Sequence, residues 1–296
     1  MTIADGFSIA FALLVLNAFL GGNRTASRAA LILSILLLPL PVFVHSHPVP
    51  RGMLAFVLVL VFMRAVDSAF GVVPTTFASR LGAAVAWLAL IDIEVRSRRL
   101  PHFNRGAARD LATAAVAAVI ACALWPLVAS WPFPLRYILR SACAGVIFVA
   151  FAESLSSLVK IVSGTLGVEL NPVQNEPHLS RTVVEFWSRR WNLVAARWFR
   201  MYFFVPTLSR GVTVALVSMF TVSALMHAYL IVAIDRRAAI SWAMFFLAQP
   251  IVIVAERRLG VRAWPPAAGR IWTLAVFVAL LPLLVKPVLP LFGTSL

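Results

Sequence analysis

Apolar runs of membrane-spanning length follow one another along almost the whole chain, with short polar loops between them. The first run predicts a helix from about Phe7 to Leu20, closed by Gly21-Gly22. A second extends from about Ala29 to Val44 and precedes a proline-rich turn, Pro48 to Pro50. A third covers Met53 to about Val73. Residues 81 to 95 are apolar but short, and either extend back through Thr75 to span or re-enter the same face. Further helices are expected at about Leu111 to Ser130, Leu135 to Val162, Gly211 to Ile234, Ala238 to Ala255 and Ile271 to Leu291. The last contains Pro282, Pro287 and Pro290 and should kink or break. The predicted fold class is all-α: a multi-pass transmembrane bundle of about eight to ten helices, forming one domain over residues 1–296 without an internal repeat.

One long polar interruption breaks this pattern, residues 174 to 200. It holds three of the nine tryptophans and five of the 26 Lys and Arg residues. Thr182 and Glu185 have the spacing of a capping box, so a helix should start there. Val183, Trp187, Trp191, Val194 and Trp198 then fall on one face, with Arg189, Arg190, Arg197 and Arg200 mostly off it. Tryptophans on one side and arginines on the other describe an amphipathic helix lying in the membrane interface. That account leaves Asn192, directly beside the tryptophan stripe, without a role.

Composition agrees with the pattern. Hydrophobic residues make up 61% of the 296 and charged residues 12%, about half the usual soluble share. The net charge of +15 sits in short loops between apolar runs, where positive-inside orientation and anionic head groups explain it, so nucleic acid is not the expected partner. With the N-terminus outside and residues 81 to 95 not fully crossing, 19 positive residues fall inside and six outside, and the 174–200 stretch faces the cytosol. The expected location is a bacterial inner membrane or an ER-type membrane. Cys122 and Cys143 lie in apolar runs and read as core residues. Asp5 is the only charge before the first run, which argues against a cleavable signal. His45 and His47 lack a carboxylate or thiol nearby, so no metal site is expected.

Ionisable groups inside the apolar runs carry the candidate chemistry. Arg64 and Asp67 are one turn apart and should form an intramembrane structural pair. Glu153 lies in the second half of its helix. His227 stands alone in Phe220-Thr-Val-Ser-Ala-Leu-Met-His227-Ala-Tyr-Leu-Ile-Val. A histidine in mid-membrane is a functional-site candidate, and apolar surroundings keep its imidazole neutral and able to accept a proton. A hydrogen-bonded packing histidine is the competing reading.

Asn175-Glu176-Pro177-His178-Leu179-Ser180, then Glu185-Phe186-Trp187-Ser188-Arg189-Arg190-Trp191-Asn192, resembles the signature of the wax synthase family, a branch of the membrane-bound O-acyltransferases. Val222-Ser223-Ala224-Leu225-Met226-His227 resembles its second signature, and the gap of 35 residues from Asn192 to His227 is similar to the family's spacing. The clear resemblance covers roughly residues 170 to 255. Ala228 stands where the family often has Glu, and Ala224 where it often has Gly. The imidazole must then be oriented by another group, with Glu153, Tyr229 and Ser223 as candidates.

The resemblance implies a membrane-embedded transferase moving an acyl group from acyl-CoA, as co-substrate, to the hydroxyl of a lipophilic alcohol, with no permanently bound cofactor. His227 and Asn192 are the implied catalytic pair. His227 would take the proton from the acceptor, and Asn192 would position the reactants or help stabilise the oxyanion. Arg189, Arg190 and Arg197 would meet CoA phosphates or membrane lipid head groups, and Trp187, Trp191 and Glu153 join them as substrate-binding candidates. Three other readings stay open. One is an acetyl-CoA-dependent acetyltransferase acting on a sterol, terpenoid or polyketide hydroxyl. Another is a lipid transporter or flippase with Arg64, Asp67, Glu153 and His227 along a polar path. The third is a catalytically silent relative serving as a membrane scaffold.

Overall fold

The computed structural model describes residues 1–21, 23–71, 95–98, 100–170, 173–286 and 289. Residues 81 to 94 of the short apolar run lie outside them. Nine labelled helices organise the rest: α1 Ile3–Leu20, α2 Arg24–Leu37, α3 Pro48–Ala69, α4 Arg105–Leu127, α5 Leu135–Thr165, α6 Leu193–Phe199, α7 Val212–Val232, α8 Arg236–Leu259 and α9 Pro266–Leu280. Eight stretches among the described residues are long and apolar enough to cross a membrane: α1, α3, α4, α5, α7 and α8, together with α2 continued to Phe43 and α9 continued to Val285. The chain is an integral multi-pass membrane protein of the expected all-helical class. Large apolar side chains such as Phe19, Leu36, Ile240 and Ile251 point outward, as lipid-facing positions do.

Two compact units divide the chain: residues 1–93 with 226–239, and residues 94–225 with 240–296. In the first, Ala10, Leu13 and Leu14 of α1 pack with Val44 and with Leu54, Leu58 and Val61 of α3. Thr2 and Asp5 close a capping box at the start of α1, Asn23 caps α2, and the His47 Nδ1 accepts the Val49 N–H at the start of α3. α2 stops at Leu37, earlier than its apolar run, because Pro39 and Pro41 interrupt the ladder of N–H donors; a 3₁₀ turn, Leu40–Phe43, follows. The Tyr229 hydroxyl donates to the Leu38 carbonyl at 2.7 Å, so the last turns of α7 are fixed to this turn region.

In the second unit α4 and α5 pack along each other. A two-stranded antiparallel ribbon, β1 Val95–Arg98 and β2 Val168–Leu170, adds to the helices, with an irregular register between Val95 and Ser97. The apolar core consists of Val183, Leu216, Phe220 and Ile253, together with Ala224, Phe245 and Phe246. Trp187 packs against both groups. The last apolar run breaks as its prolines predict: α9 ends at Leu280, and a single turn, Pro282–Val285, follows.

Candidate functional site

The polar stretch that interrupts the apolar pattern folds as short helical pieces rather than as one helix. A single turn, Val183–Glu185, comes first, capped as expected by Thr182, whose Oγ1 accepts the Glu185 N–H at 3.0 Å. A π-helical turn, Phe186–Arg190, follows and closes with the Trp191 N–H on the Phe186 carbonyl at 2.8 Å. The chain then reverses hand at Asn192, with φ 39° and ψ 64°, before α6 begins. A second π turn, Arg200–Phe204, succeeds α6. The stripe of apolar residues survives these breaks but points into the protein. Val183 is fully buried, Val194 and Trp198 are 3% and 2% exposed, and Trp187 is ringed by Phe186, Phe220, Phe245, Phe246 and Phe277. Trp191 stacks on Phe186 at 5.5 Å and meets Phe148 of α5 at 5.8 Å.

Asn192 has a local reason to be asparagine. The left-handed backbone region is costly for most side chains and is tolerated by Asn and Gly. Its Oδ1 accepts the Ala195 N–H at 3.2 Å and so caps α6, while its own N–H donates to Gln174 Oε1 at 3.1 Å. Among the described residues the Nδ2 group makes no hydrogen bond. Around it the chain is clasped to residues 173–176: the Leu193 N–H donates to the Val173 carbonyl, and the Asn175 N–H to the Arg190 carbonyl, each at 2.8 Å.

The arginines divide into two kinds. Arg190 is engaged within the clasp. Its Nε donates to Glu185 Oε1 at 2.7 Å, and its Nη1 to the Asn175 and Glu176 carbonyls at 3.3 and 3.2 Å. Burial pushes the Glu185 carboxyl up, but the Arg181 N–H and the Arg190 guanidinium outweigh it and hold the group below its ordinary value. Arg189 is exposed and makes no side-chain hydrogen bond among the described residues. Arg197 is exposed too, and with Arg200, Met201 and Val205 it lines an open cavity of about 230 Å³. Arg200, absent from the sequence candidates, joins them here.

Two groups on α8 hold the stretch from outside. Glu256, 4% exposed, accepts the Val183 N–H at 2.6 Å, the Val184 N–H at 3.3 Å and the Trp272 indole N–H at 2.9 Å. Gln249, fully buried, accepts the Trp187 indole N–H at 2.9 Å. Gln249 carries the signal that singles out His227, a polar residue inside an apolar run, whereas Glu256 stands one residue past the run expected to end at Ala255. Gly269 of α9 makes room for the same stretch, since a Cβ there would lie 2.7 Å from the Arg181 carbonyl oxygen.

The remaining candidates stand elsewhere. Arg64 and Asp67 pair as expected within α3, Nη1 to Oδ2 at 3.4 Å, both buried. Glu153 pairs along α5 with Lys160 at 4.0 Å. His227 lies half-buried on α7 in a stretch that groups with the first unit, whereas Asn192 belongs to the second.

Residues 170–248 match the family described as membrane bound O-acyl transferase. The chain is similar to a probable long-chain-alcohol O-fatty-acyltransferase 2 from Arabidopsis thaliana, 32% identical over 133 residues, which cover 41% of this chain and 38% of that protein. It is 33% identical over 114 residues to a long-chain-alcohol O-fatty-acyltransferase from Simmondsia chinensis, over 35% of this chain and 32% of that one. With a probable long-chain-alcohol O-fatty-acyltransferase 1 from Arabidopsis thaliana the identity is 44% over 46 residues, 16% of this chain and 14% of the relative. The matches thus span well under half the length of these curated relatives.

Proposed function

We propose that this chain, a wax-synthase-like member of the membrane-bound O-acyltransferase family through residues 170–248, transfers a fatty acyl group from acyl-CoA to the hydroxyl of a long-chain alcohol. The observation that carries the reading is the signature stretch itself. It lies within residues 170–248, which match the family, and among the described residues Asn192 Oδ1 is engaged while Nδ2 makes no hydrogen bond.

In this reaction the alcohol oxygen attacks the thioester carbonyl carbon and gives its proton to the neutral His227 imidazole. Asn192 Nδ2 donates to the oxygen that gains negative charge. The carbon–sulfur bond then breaks, and the CoA thiolate takes the proton from His227, leaving an ester and free CoA. No permanently bound cofactor enters these steps. The exposed Arg189, Arg197 and Arg200 suit the phosphates of CoA, since guanidinium groups bind phosphate in paired hydrogen bonds. Arg190, the remaining candidate for these phosphates or for lipid head groups, also holds the clasp through its Nε. Trp187 and Trp191 support the site through their packing, and Glu153 is kept as a substrate-binding candidate.

The test supplies membranes containing the wild-type protein or His227→Ala with labelled acyl-CoAs from acetyl to palmitoyl and a mixed pool of alcohols, and reads ester products by mass spectrometry. Long-chain ester from the wild type and none from a folded His227→Ala protein is the expected result. Acetyl ester alone would move the substrate class to short-chain transfer. Ester from both proteins would remove His227 as the base.

A further inference from the structure

We propose that Gln249 and Glu256 are positioning residues, which fix the segment carrying Asn192 by holding the Trp187 indole and the Val183–Val184 backbone from one face of α8. The first N–H groups of a helix have no partner inside it. In the turn at Val183–Glu185 all three are satisfied: Thr182 takes Glu185, and Glu256 takes Val183 and Val184. Both of these latter bonds go to a carboxylate at a helix N-terminus, where negative charge is favoured. The carboxylate has a cost of its own, because a buried charge needs partners. Its three donors are two backbone groups of this turn and one indole, so removing it takes the acceptor from N–H groups on both the segment and α9.

Gln249 and Glu256 are seven residues apart, close to two full turns, so they share a face and stand about 10 Å apart along the axis. They grip the segment at two points, residues 183–184 and residue 187. Gln249 is itself oriented, since its Nε2 donates to the Phe245 carbonyl at 3.0 Å and leaves Oε1 for Trp187. From Trp187 a single π turn leads to Trp191, and Asn192 is next. Few rotatable links therefore separate the two anchors from the Asn192 Nδ2 donor.

The kinetic part of the test rests on the acyl-transfer reading above; the structural part does not. A nitroxide is attached at Ser188→Cys in a background carrying Cys122→Ser and Cys143→Ser. Its mobility is then read in the otherwise unchanged protein and with Glu256→Leu, Glu256→Gln or Gln249→Leu. Gln at 256 keeps an acceptor oxygen, and Leu keeps only bulk. The expected result is a mobile label with either Leu substitution and an ordered one with Glu256→Gln. Alongside it, kcat should fall at least about tenfold for Glu256→Leu, with KM for acyl-CoA within about twofold, and Glu256→Gln should restore most of it. An ordered label in Glu256→Leu overturns the proposal, as does a parallel loss of kcat and KM with collapse of the thermal transition. If no protein forms ester, the acyl-transfer reading fails while the label still decides whether α8 holds the segment.

Discussion

Asn192 Oδ1 accepts the Ala195 N–H at 3.2 Å, so one half of the amide is spent on the backbone, and among the described residues the other half is not. This division separates architecture from chemistry. Aspartate keeps a cap and tolerates the left-handed backbone, but it has no N–H to donate. Asn192→Asp should therefore fold with a thermal transition close to wild type while ester formation drops roughly 10²- to 10³-fold, the usual cost of one oxyanion donor. Thermal melts and turnover measured on the same preparation check this; retained turnover removes Asn192 from the chemistry.

Gly269 offers a packing test. A methyl group there meets the Arg181 carbonyl oxygen at 2.7 Å, a backbone contact that cannot swing aside. Gly269→Ala should destabilise by about 1–3 kcal/mol, as overpacking does. A thermal shift in detergent or nanodiscs measures it, and an unchanged transition would mean that α9 moves freely relative to the Arg181 backbone.

Glu185 predicts a response to acid. Its folded carboxyl titrates below its ordinary value of 4.5, so its contribution is full above that value and is lost as pH falls through the lower folded one. The segment around residues 181–191 should loosen over that acid window, measured as hydrogen exchange corrected for its intrinsic pH dependence. Glu185→Gln should exchange faster at neutral pH and show little further change on acidification.

Tyr229 predicts a local loss in the first unit. Its hydroxyl donates to the Leu38 carbonyl at 2.7 Å. Tyr229→Phe leaves that carbonyl without this donor and should cost about 1 kcal/mol, read as a lowered unfolding temperature.

Local features were legible in the sequence, and long-range ones were not. The capping residues Thr182 and Glu185, the Arg64–Asp67 pair and the break at Pro282 depend on neighbours within a few positions. The long helix expected after Thr182 assumed continuous α geometry, and nothing in a pattern of apolar positions announces a hand reversal at Asn192. From sequence Arg190 reads as a candidate for CoA phosphates or lipid head groups and not as part of a clasp, because its carbonyl partners, on Asn175 and Glu176, lie 15 and 14 positions away. Glu256 is not legible as a partner of the stretch because it falls one residue past the apolar run that ends at Ala255, and its backbone partners lie more than 70 positions earlier.

Glu176 shares the unusual backbone hand of Asn192, with φ 46°, yet it has none of asparagine's ease there. Its side chain is exposed, and what the clasp takes from it is the carbonyl, through Arg190. Any residue supplies that carbonyl. For an engineer this is a place where the signature can be stiffened from the outside, since Glu176→Gly or Glu176→Asn relieves about 1 kcal/mol of conformational cost without altering a packed side chain.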